Sequence, residues 1–240
     1  MRVALLSDAH LRGPQDPNQA LLLAFLAELE VDRLCLLGDI FQNWWHFGAE
    51  PFDAYRPVVD ALRRFDLVFV PGNHDFHAAR YFADELRAEV ALSVADTWDG
   101  LPVHLSHGDG ADASLGYRAA CAVLRGSPFA TLVDAMGPDR AWRFLAWLAG
   151  QPGGEPNPML LAAQARDAAK WLGQRPETHP PGLVVVGHTH APGTHALPCG
   201  TLVNLGDWVR WHTWLLVEDG VPTLQRRAAD GRDVRFENAP

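Results

Sequence analysis

The sequence LVVVGHTHAP, residues 183–192, places two histidines one residue apart, directly after a run of apolar and mostly β-branched residues. A short apolar run of this kind predicts a buried strand, and the polar residues after it mark the end of that strand. Because side chains alternate with period two in an extended segment, His188 and His190 would point to the same side. The stretch therefore predicts a strand whose end directs two imidazoles to one place.

The same arrangement, an apolar run followed by Asp, Asn or His, occurs in four other places along the chain. The four stretches are VALLSDAH (3–10), LCLLGD (34–39), LVFVPGNHD (67–75) and VHLSH (103–107). In open α/β sheets the carboxyl ends of the strands face a common crevice, so separated segments can converge there. We expect the polar side chains after these five strands to form one cluster.

Helical segments separate the first three of these strands. Residues 17–30 and 54–65 combine good helix formers with a Pro near the first turn, which is typical of a helix start. The alternation of strands and helices predicts an α/β fold with a parallel sheet. A chain of 240 residues suits a single domain, 1–240, whose core carries one large insertion.

The insertion itself is predicted to be helical. After Ser106, three helix-like stretches at 114–126, 138–150 and 158–173 are separated by Pro- and Gly-rich joints. We expect them to form a helical cap over about residues 111–180. Strand-like sequence returns at 182–187, and the short apolar pieces that follow it, separated by turn residues, predict antiparallel hairpins.

Composition argues against several classes of protein. The net charge of −9 disfavours a general nucleic-acid binder, which needs basic side chains to neutralise phosphates. The three cysteines are widely spaced and form no CxxC pair, so neither a disulfide framework nor a thiolate zinc site is expected. No apolar run approaches the ~20 residues of a membrane span, and the first residues do not match a signal peptide. We therefore expect a cytoplasmic protein.

The residues at the five strand ends are Asp, Asn and His, whose oxygen atoms and imidazole nitrogens are common metal ligands. A carboxylate can bridge two ions, and two ions ~3.5–4 Å apart can activate water and hold phosphate oxygens during an in-line displacement. One such motif alone would be weak evidence, whereas five in order favour a metal centre. A metal-free scaffold is the alternative class, although it would be expected to have lost ligands. The candidate ligands are Asp8, His10, Asp39, Asn73, His107, His188 and His190.

These motifs make the chain resemble the calcineurin-like metallophosphoesterase superfamily. The resemblance rests on DAH at 8–10, GD at 38–39, GNHD at 72–75, His107 and GHTH at 187–190. It implies a four-layer αββα sandwich with a helical cap insertion and two divalent metal ions. By the same resemblance Asp39 bridges the ions, His74 contacts the phosphate or protonates the leaving oxygen, and Asp75 orients His74. One ion would be held by Asp8, His10 and His190, and the other by Asn73, His107 and His188.

Longer stretches resemble the UDP-2,3-diacylglucosamine pyrophosphatases, which are enzymes of lipid A synthesis. They are GDIFQNWW (38–45), LSHGD (105–109), GHTHAPGTH (187–195) and VNLGDW (203–208). The resemblance implies hydrolysis of a nucleotide-sugar lipid to UMP and 2,3-diacylglucosamine 1-phosphate, with Mn²⁺ as the metal and Fe or Zn as alternatives. It also implies a cap that houses acyl chains, and peripheral contact with the inner membrane. The expected substrate contacts are Trp44, Tyr117 and His195.

One residue departs from that pattern. His74 stands where the pyrophosphatase family usually has Arg, so residues 72–76 read GNHDF in place of GNRDF. An arginine at this position would grip phosphate, whereas histidine is the residue usual in the wider superfamily. The alternative function is therefore a metallophosphodiesterase or phosphatase for another substrate, such as a nucleotide, a cyclic nucleotide or a phosphoprotein.

Overall fold

The computed structural model describes residues 1–150, 157–174 and 180–237. Within these residues the chain forms two large sheets, a small hairpin and a set of α-helices. The helices are α1 (Pro17–Glu28), α2 (Arg56–Leu62), α3 (Ala78–Glu85), α4 (Leu115–Leu124), α5 (Ser127–Met136), α6 (Pro138–Ala149) and α7 (Pro158–Gly173). The strands are β1 (Arg2–Leu6), β2 (Arg33–Leu36), β3 (His46–Phe47), β4 (Glu50–Pro51), β5 (Leu67–Phe69), β6 (Glu89–Val90), β7 (Ser93–Trp98), β8 (Leu101–Ser106), β9 (Gly182–Val186), β10 (Gly193–Leu197), β11 (Gly200–Asn204), β12 (Thr213–Glu218), β13 (Val221–Arg227) and β14 (Asp233–Arg235).

The first sheet has the strand order β14-β13-β12-β1-β2-β5-β6. Its strands β1, β2, β5 and β6 are parallel, and the helices α1, α2 and α3 lie between them in the chain, as the alternating sequence pattern predicts. The strands β12, β13 and β14 extend the sheet on the other side in antiparallel pairing. Three strand ends that carry candidate ligands therefore lie side by side, at the ends of β1, β2 and β5.

The second sheet has the order β10-β11-β9-β8-β7. Its central strand is β9, the strand predicted from the apolar run before His188, and every residue of β9 is buried. The predicted hairpins occur at β10–β11 and β12–β13. However, β11 also pairs in parallel with β9, which the prediction of hairpins alone did not include. The sequence of β11 predicts its pairing with the adjacent β10, but nothing in it indicates which strand lies on its other side.

Three buried apolar clusters separate four layers. Alternate residues of β1 and β9, such as Leu5 and Val185, fill the space between the two sheets. On the outer face of the first sheet α1 buries Phe25, and on the outer face of the second sheet Leu172 of α7 packs against Val186. Each fully buried side chain of this size stabilises the fold by ~1.5–3 kcal/mol. The order helix–sheet–sheet–helix confirms the predicted αββα sandwich.

The helices of the insertion lie in two places. The helices α5 and α6 bury Val133 and Leu145 in the apolar cluster on the helical side of the first sheet, whereas α7 covers the second sheet. The helix α5 was not predicted from the sequence, because Gly126 and Pro128 resemble a joint between helices. In the structure Gly126 is the N-cap of α5 and Pro128 lies in its first turn, where Pro is tolerated. Residues 151–156, part of a predicted Pro- and Gly-rich joint, lie outside the described residues.

The insertion also exposes apolar side chains to solvent. Leu115 is 83% exposed, Trp147 is 75% exposed and Met159 is 82% exposed. Among the described residues, no helix is both long enough and apolar enough to cross a membrane.

Candidate metal centre

The strand ends bring the first set of predicted ligands together. Asp8 and His10 follow β1, and His190 follows β9. Nε2 of His190 lies 3.4 Å from Oδ1 of Asp8 and 3.3 Å from Nε2 of His10. Nε2 of His10 lies 3.8 Å from the same Asp8 oxygen. One ligating atom from each residue lies within 4.8 Å of the others, so the three side chains can share one ion.

Asp39 stands between this first set and a second one. Its Oδ2 lies 3.9 Å from Nε2 of His10 and 3.4 Å from Nε2 of His107. Nε2 of His107 is 3.3 Å from Oδ1 of Asn73, and the ring of His188 lies 5.0 Å from the ring of His107. Ligating atoms of Asp39, His107 and His188 again lie within 4.8 Å of one another. One carboxylate therefore faces both sets, which is the position of a bridging ligand.

Five of these ligands adopt left-handed backbone conformations. The angle φ is 51° at Asp8, 44° at His10, 53° at Asp39, 70° at His188 and 55° at His190. The strands β1, β2 and β9 end before these residues, so the period-two alternation predicted for His188 and His190 is not the reason for their convergence. Tight turns after the strands direct the side chains instead. A non-glycine residue in this conformation costs ~1–3 kcal/mol and persists only where its surroundings fix it.

Two glycines allow the ligand loops to approach each other closely. A Cβ atom at Gly72 would collide with the carboxylate of Asp39, and one at Gly187 would collide with Asp8 and Ser7. Beside Gly187, the backbone N–H of His188 donates to Oδ2 of Asp8 at 2.9 Å. Glycine is therefore required at both positions by lack of space rather than by a preference for turns.

The structure corrects the role predicted for Asp75. Its buried carboxylate accepts hydrogen bonds from the backbone N–H groups of Ile40 at 2.8 Å, Gly72 at 3.0 Å and Asp39 at 3.1 Å. These amides use both oxygens, and the ring of His74 is held by a different group. Asp75 therefore fixes the loop that carries the bridging Asp39 and does not orient His74. This role of Asp75 could not be predicted from the sequence, because every residue except proline has a backbone N–H and a sequence motif does not show which of them a carboxylate binds.

His74 lies at the edge of the metal centre. Its Nδ1 is 2.9 Å from the backbone carbonyl of Gln42, and since a carbonyl only accepts, Nδ1 carries the proton. The backbone N–H of His74 donates to Oδ1 of Asp39 at 2.8 Å, and its ring lies 4.8 Å from the ring of His10. The second ring nitrogen, Nε2, is thereby left for the metal centre or for a substrate.

Asp207, which lies in the VNLGDW stretch, was not among the predicted site residues. Asp207 is 1% exposed, and its Oδ2 is 3.2 Å from Nδ1 of His190. Its Oδ1 accepts the backbone N–H groups of Arg210 at 2.5 Å and Trp211 at 3.2 Å. A signal did exist, because LVNLGD repeats the pattern of LCLLGD, in which the Asp is a candidate ligand.

Gln164 of α7 is a second residue that the sequence analysis missed. It is buried, its Nε2 donates to the carbonyl of Gly187 at 3.0 Å, and its Oε1 accepts from Thr189 at 3.3 Å and from Asn204 at 3.2 Å. The loop that carries His188 and His190 is thereby tied to the outer helix of the second sheet. No sequence signal points to this residue, because a Gln within an amphipathic helix is usually on the surface.

An apolar cavity of about 260 Å³ lies beside the metal centre, between the insertion and the core. Asn73 and His74 border it, so it adjoins the side of the centre that carries the second set of ligands. Most of its other walls are apolar side chains. They include Phe76, Leu124, Phe129, Leu145 and Leu148. We refer to it below as the cap cavity.

The predicted substrate contacts fall in different places. Tyr117 borders the cap cavity, its hydroxyl donates to Oδ2 of Asp109 at 2.8 Å, and its ring lies 6.0 Å from the ring of His188. Trp44 also borders the cavity, but it is only 2% exposed and packs on Phe41 with ring centroids 4.7 Å apart. Trp44 therefore offers a ligand little surface.

The structure does not bring His195 to the metal centre. His195 is exposed on the edge strand β10 and lies opposite Leu202 of β11. Leu202 packs with α7 on the outer face of the second sheet, and opposed residues of paired strands point to the same face. His195 therefore points away from the strand ends, because the hairpin carries the chain out to the edge of the sheet.

Burial and charge set the protonation of the clustered side chains. Burial lowers the pKa of His10 to about 3 and that of His188 to about 4, so both imidazoles are in the neutral form that binds metal. Burial also lowers the pKa of His107, but the charges of Asp39 and Asp8 outweigh it and raise that pKa well above its usual value. Burial would raise the pKa of Asp39, yet the neighbouring histidines hold it well below the usual range. Asp39 is therefore ionised, as a carboxylate ligand of a cation must be.

The donor atoms fit divalent metal ions. Oδ1 of Asp8 is buried and has no hydrogen-bond partner among the described residues, although an unpaired buried oxygen of this kind is costly. A cation held by Asp8, His10 and His190 would satisfy it. Carboxylate and amide oxygens together with imidazole nitrogens suit Mn²⁺, Fe and Zn²⁺.

The fold and this centre define a metal-dependent hydrolase of phosphoesters. A family model described as calcineurin-like phosphoesterase matches residues 1–192, and the chain belongs to this family, which confirms the resemblance found in the sequence. A similar solved structure is vacuolar protein sorting 29 from Cryptosporidium parvum, with a TM-score of 0.51 and 13% identity over 98% of this chain and 95% of that chain. That similarity supports the sandwich fold alone.

Curated relatives match over most of the chain. The chain is 28% identical over 249 residues to a UDP-2,3-diacylglucosamine hydrolase from Marinobacter nauticus, covering 94% of this chain and 97% of that protein. It is 29% identical over 252 residues to a UDP-2,3-diacylglucosamine hydrolase from Chromohalobacter salexigens, covering 95% of this chain and 98% of that protein.

Proposed function

We propose that the protein hydrolyses the pyrophosphate of UDP-2,3-diacylglucosamine to UMP and 2,3-diacylglucosamine 1-phosphate. The observation that carries the proposal is the cap cavity, an apolar space that begins at Asn73 and His74 beside the metal centre. A nucleotide substrate without acyl chains would have no use for such a space. The names of the curated relatives support the same substrate.

The roles of the side chains follow from their positions. Bound divalent ions would supply Lewis-acid chemistry, activating water and neutralising charge on the pyrophosphate oxygens. Asp39 holds the two sets of ligands in register, since one of its oxygens faces both. His74, with Nδ1 bonded to Gln42, presents Nε2 to the phosphate or to the leaving oxygen. Tyr117 and its partner Asp109 border the approach to His188.

The proposed centre holds two ions, with Mn²⁺ as the native metal and Fe or Zn as alternatives. The number of ions is supported by two separate sets of ligands, Asp8/His10/His190 and Asp39/His107/His188, and by the carboxylate of Asp39, which also faces His10 of the first set. The mixture of Asp, Asn and His donors supports Mn²⁺, which accepts both oxygen and imidazole ligands.

The proposed lipid substrate also requires contact with a membrane surface. The exposed apolar residues Leu115 and Trp147 support this contact, because they lie on α4 and α6, the helices that supply Leu124 and Leu145 to the walls of the cap cavity.

A specific observation favours a second candidate function. His74 replaces the arginine usual in the pyrophosphatase family, and histidine at this position is compatible with other phosphodiesters and phosphomonoesters. The second candidate is therefore a metallophosphoesterase that acts on a nucleotide, a cyclic nucleotide or a phosphoprotein.

The test is a mass-spectrometric assay of the Mn²⁺-loaded protein with UDP-2,3-diacylglucosamine, with bis-p-nitrophenyl phosphate in parallel. Release of UMP together with the acylated sugar phosphate is the expected result. Cleavage of the small diester alone would overturn the lipid assignment and favour the second candidate. Cleavage of neither substrate would contradict the lipid assignment and a phosphodiesterase activity alike.

A further inference from the structure

The buried Asp207 divides its two oxygens between the backbone and one metal ligand. Oδ1 accepts the N–H groups of Arg210 and Trp211, which fixes the orientation of the carboxylate. Oδ2 is thereby left for Nδ1 of His190, at 3.2 Å. The other nitrogen of that ring, Nε2, faces Oδ1 of Asp8 at 3.4 Å. A carboxylate thus holds the far side of an imidazole whose near side faces the metal position.

Trp208, the next residue along the chain, helps to hold another ligand of the same metal position. The backbone N–H of Trp208 donates to the carbonyl of Asp8 at 3.1 Å, and the Trp208 side chain is fully buried. The turn that contains Asp207 therefore holds two of the three ligands of the first set, Asp8 and His190.

The second set of ligands is supported differently. Nδ1 of His107 bonds the backbone carbonyl of Leu37 at 2.7 Å, so a backbone group and not an ionised side chain orients this ring. The support of the two metal positions is therefore asymmetric, and only the first depends on Asp207.

We propose that Asp207 is a positioning residue that sets the metal affinity of the position formed by Asp8, His10 and His190, and leaves the other position unchanged. This inference rests on the two-ion centre of the proposed function. Hydrogen-bonding partners behind a ligating histidine fix its tautomer and ring orientation, and their loss typically weakens metal binding ~10–100-fold.

The substitution Asp207→Asn isolates this role. The amide oxygen of Asn can still accept from Arg210 and Trp211, so its NH₂ group would face Nδ1 of His190. Two donors then oppose each other unless the ring moves its proton to Nε2, where the proton blocks the metal. Metal binding should weaken while the turn itself is retained.

The experiment is a Mn²⁺ titration of the metal-free full-length protein, followed by equilibrium dialysis and elemental analysis. We expect the wild-type protein to bind two ions, and Asp207→Asn to keep one at wild-type affinity and bind the other ~10–100-fold more weakly. Asp134→Asn is the matched control, because Asp134, on α5 of the insertion, accepts a hydrogen bond from Nε1 of Trp45 and lies outside both ligand sets. Unchanged binding of both ions, or equal weakening of both, would overturn the inference.

A measurement on the wild-type protein keeps the test decisive if Asp207→Asn does not fold. In the Zn²⁺-loaded protein, nitrogen NMR should show a slowly exchanging proton on Nδ1 of His190, and its absence would overturn the inference.

Failure of this inference and failure of the proposed function give different results. A wild-type protein that binds two ions but does not cleave the lipid contradicts the proposed substrate alone, whereas one that binds a single ion contradicts the two-ion centre.

Discussion

Nδ1 of His74 donates to the backbone carbonyl of Gln42 across 2.9 Å, and this bond decides which nitrogen of the ring faces the metal centre. Gln42 belongs to the same loop as the bridging Asp39, and its side-chain amide donates to the carbonyl of Ala149 in the insertion at 3.2 Å. The ring, the metal centre and the insertion are therefore joined through one residue. A change at position 74 can be judged by whether it keeps this bond.

The first prediction concerns that position. We expect His74→Gln to lower kcat on UDP-2,3-diacylglucosamine by ~100-fold or more, because the group that acts on the phosphate or the leaving oxygen is lost. His74→Arg should retain more activity, since its guanidinium can donate to the Gln42 carbonyl and hold phosphate with a permanent charge. Steady-state kinetics of both variants provide the measurement, with His195→Gln as control, because His195 is exposed on the edge strand β10. Equal kcat in His74→Gln and the wild-type protein would remove His74 from the mechanism.

The second prediction concerns the bridging ligand. Asp39→Ala should lower the turnover of bis-p-nitrophenyl phosphate by at least ~100-fold, since loss of a direct ligand should exceed the loss of a supporting residue. Elemental analysis should show that bound metal is lost at the same time. The exposed Asp60→Ala on α2 is the matched control and should keep both properties. Full turnover in Asp39→Ala would contradict the assignment of the metal centre.

The third prediction concerns the cap cavity. Leu124 borders the cavity, whereas its neighbour Val123 is 67% exposed. Leu124→Trp should fill part of the space and raise KM for the diacylated substrate by ~10-fold or more, because acyl methylenes lose contacts worth ~0.8 kcal/mol each. Turnover of bis-p-nitrophenyl phosphate should not change, and Val123→Trp should affect neither substrate. If both substrates lost activity equally in Leu124→Trp, the cavity would not be an acyl site.

The fourth prediction concerns the pH dependence of stability at the junction of insertion and core. Nε2 of His77 donates to the carbonyl of Leu124 at 3.2 Å, and its ring lies 4.3 Å from the ring of Trp45. Burial lowers the pKa of His77 to about 4, despite the hydrogen bond to Leu124. In the unfolded chain that pKa is ~6.5, so the unfolded state binds more protons between the two values. Stability should therefore fall as the pH is lowered from about 6.5 towards 4.

The measurement for His77 compares urea unfolding midpoints, followed by tryptophan fluorescence, at pH 7 and pH 5. His77→Gln keeps a donor for Leu124 but does not titrate, so it should lose less stability than the wild-type protein on acidification. Equal losses would assign the acid sensitivity to other groups.

Those parts of the fold that depend on continuous apolar runs could be predicted from the sequence. After the Arg residues that begin β1 and β2, the strands β1, β2, β5 and β9 are buried on both faces and contain no polar interruption, and a ligand follows each strand within a few residues. The same sharp boundaries made the cluster of metal ligands predictable, because polar side chains directly after such strands have only the strand-end crevice to occupy.

The remaining features depend on contacts between distant residues, which no local pattern encodes. The carboxylate of Asp75 binds backbone amides of another loop, and the direction of His195 depends on which strand lies opposite it. The stretch LVNLGD (202–207) does repeat the pattern of the ligand motifs, but the pattern does not say which side chain Asp207 contacts. Its partner, Nδ1 of His190, becomes apparent only when the two sheets are in place.

The left-handed backbone at Asp8, His10, Asp39, His188 and His190 has a consequence for engineering this enzyme. Glycine or asparagine would relax the chain at each of these positions, so selection for heat resistance alone would favour replacing the ligands themselves. Variants selected for thermal stability without an activity screen should therefore be thermostable but catalytically inactive. A programme that seeks a durable catalyst would do better to hold these five codons fixed and draw its gains from the outer helices.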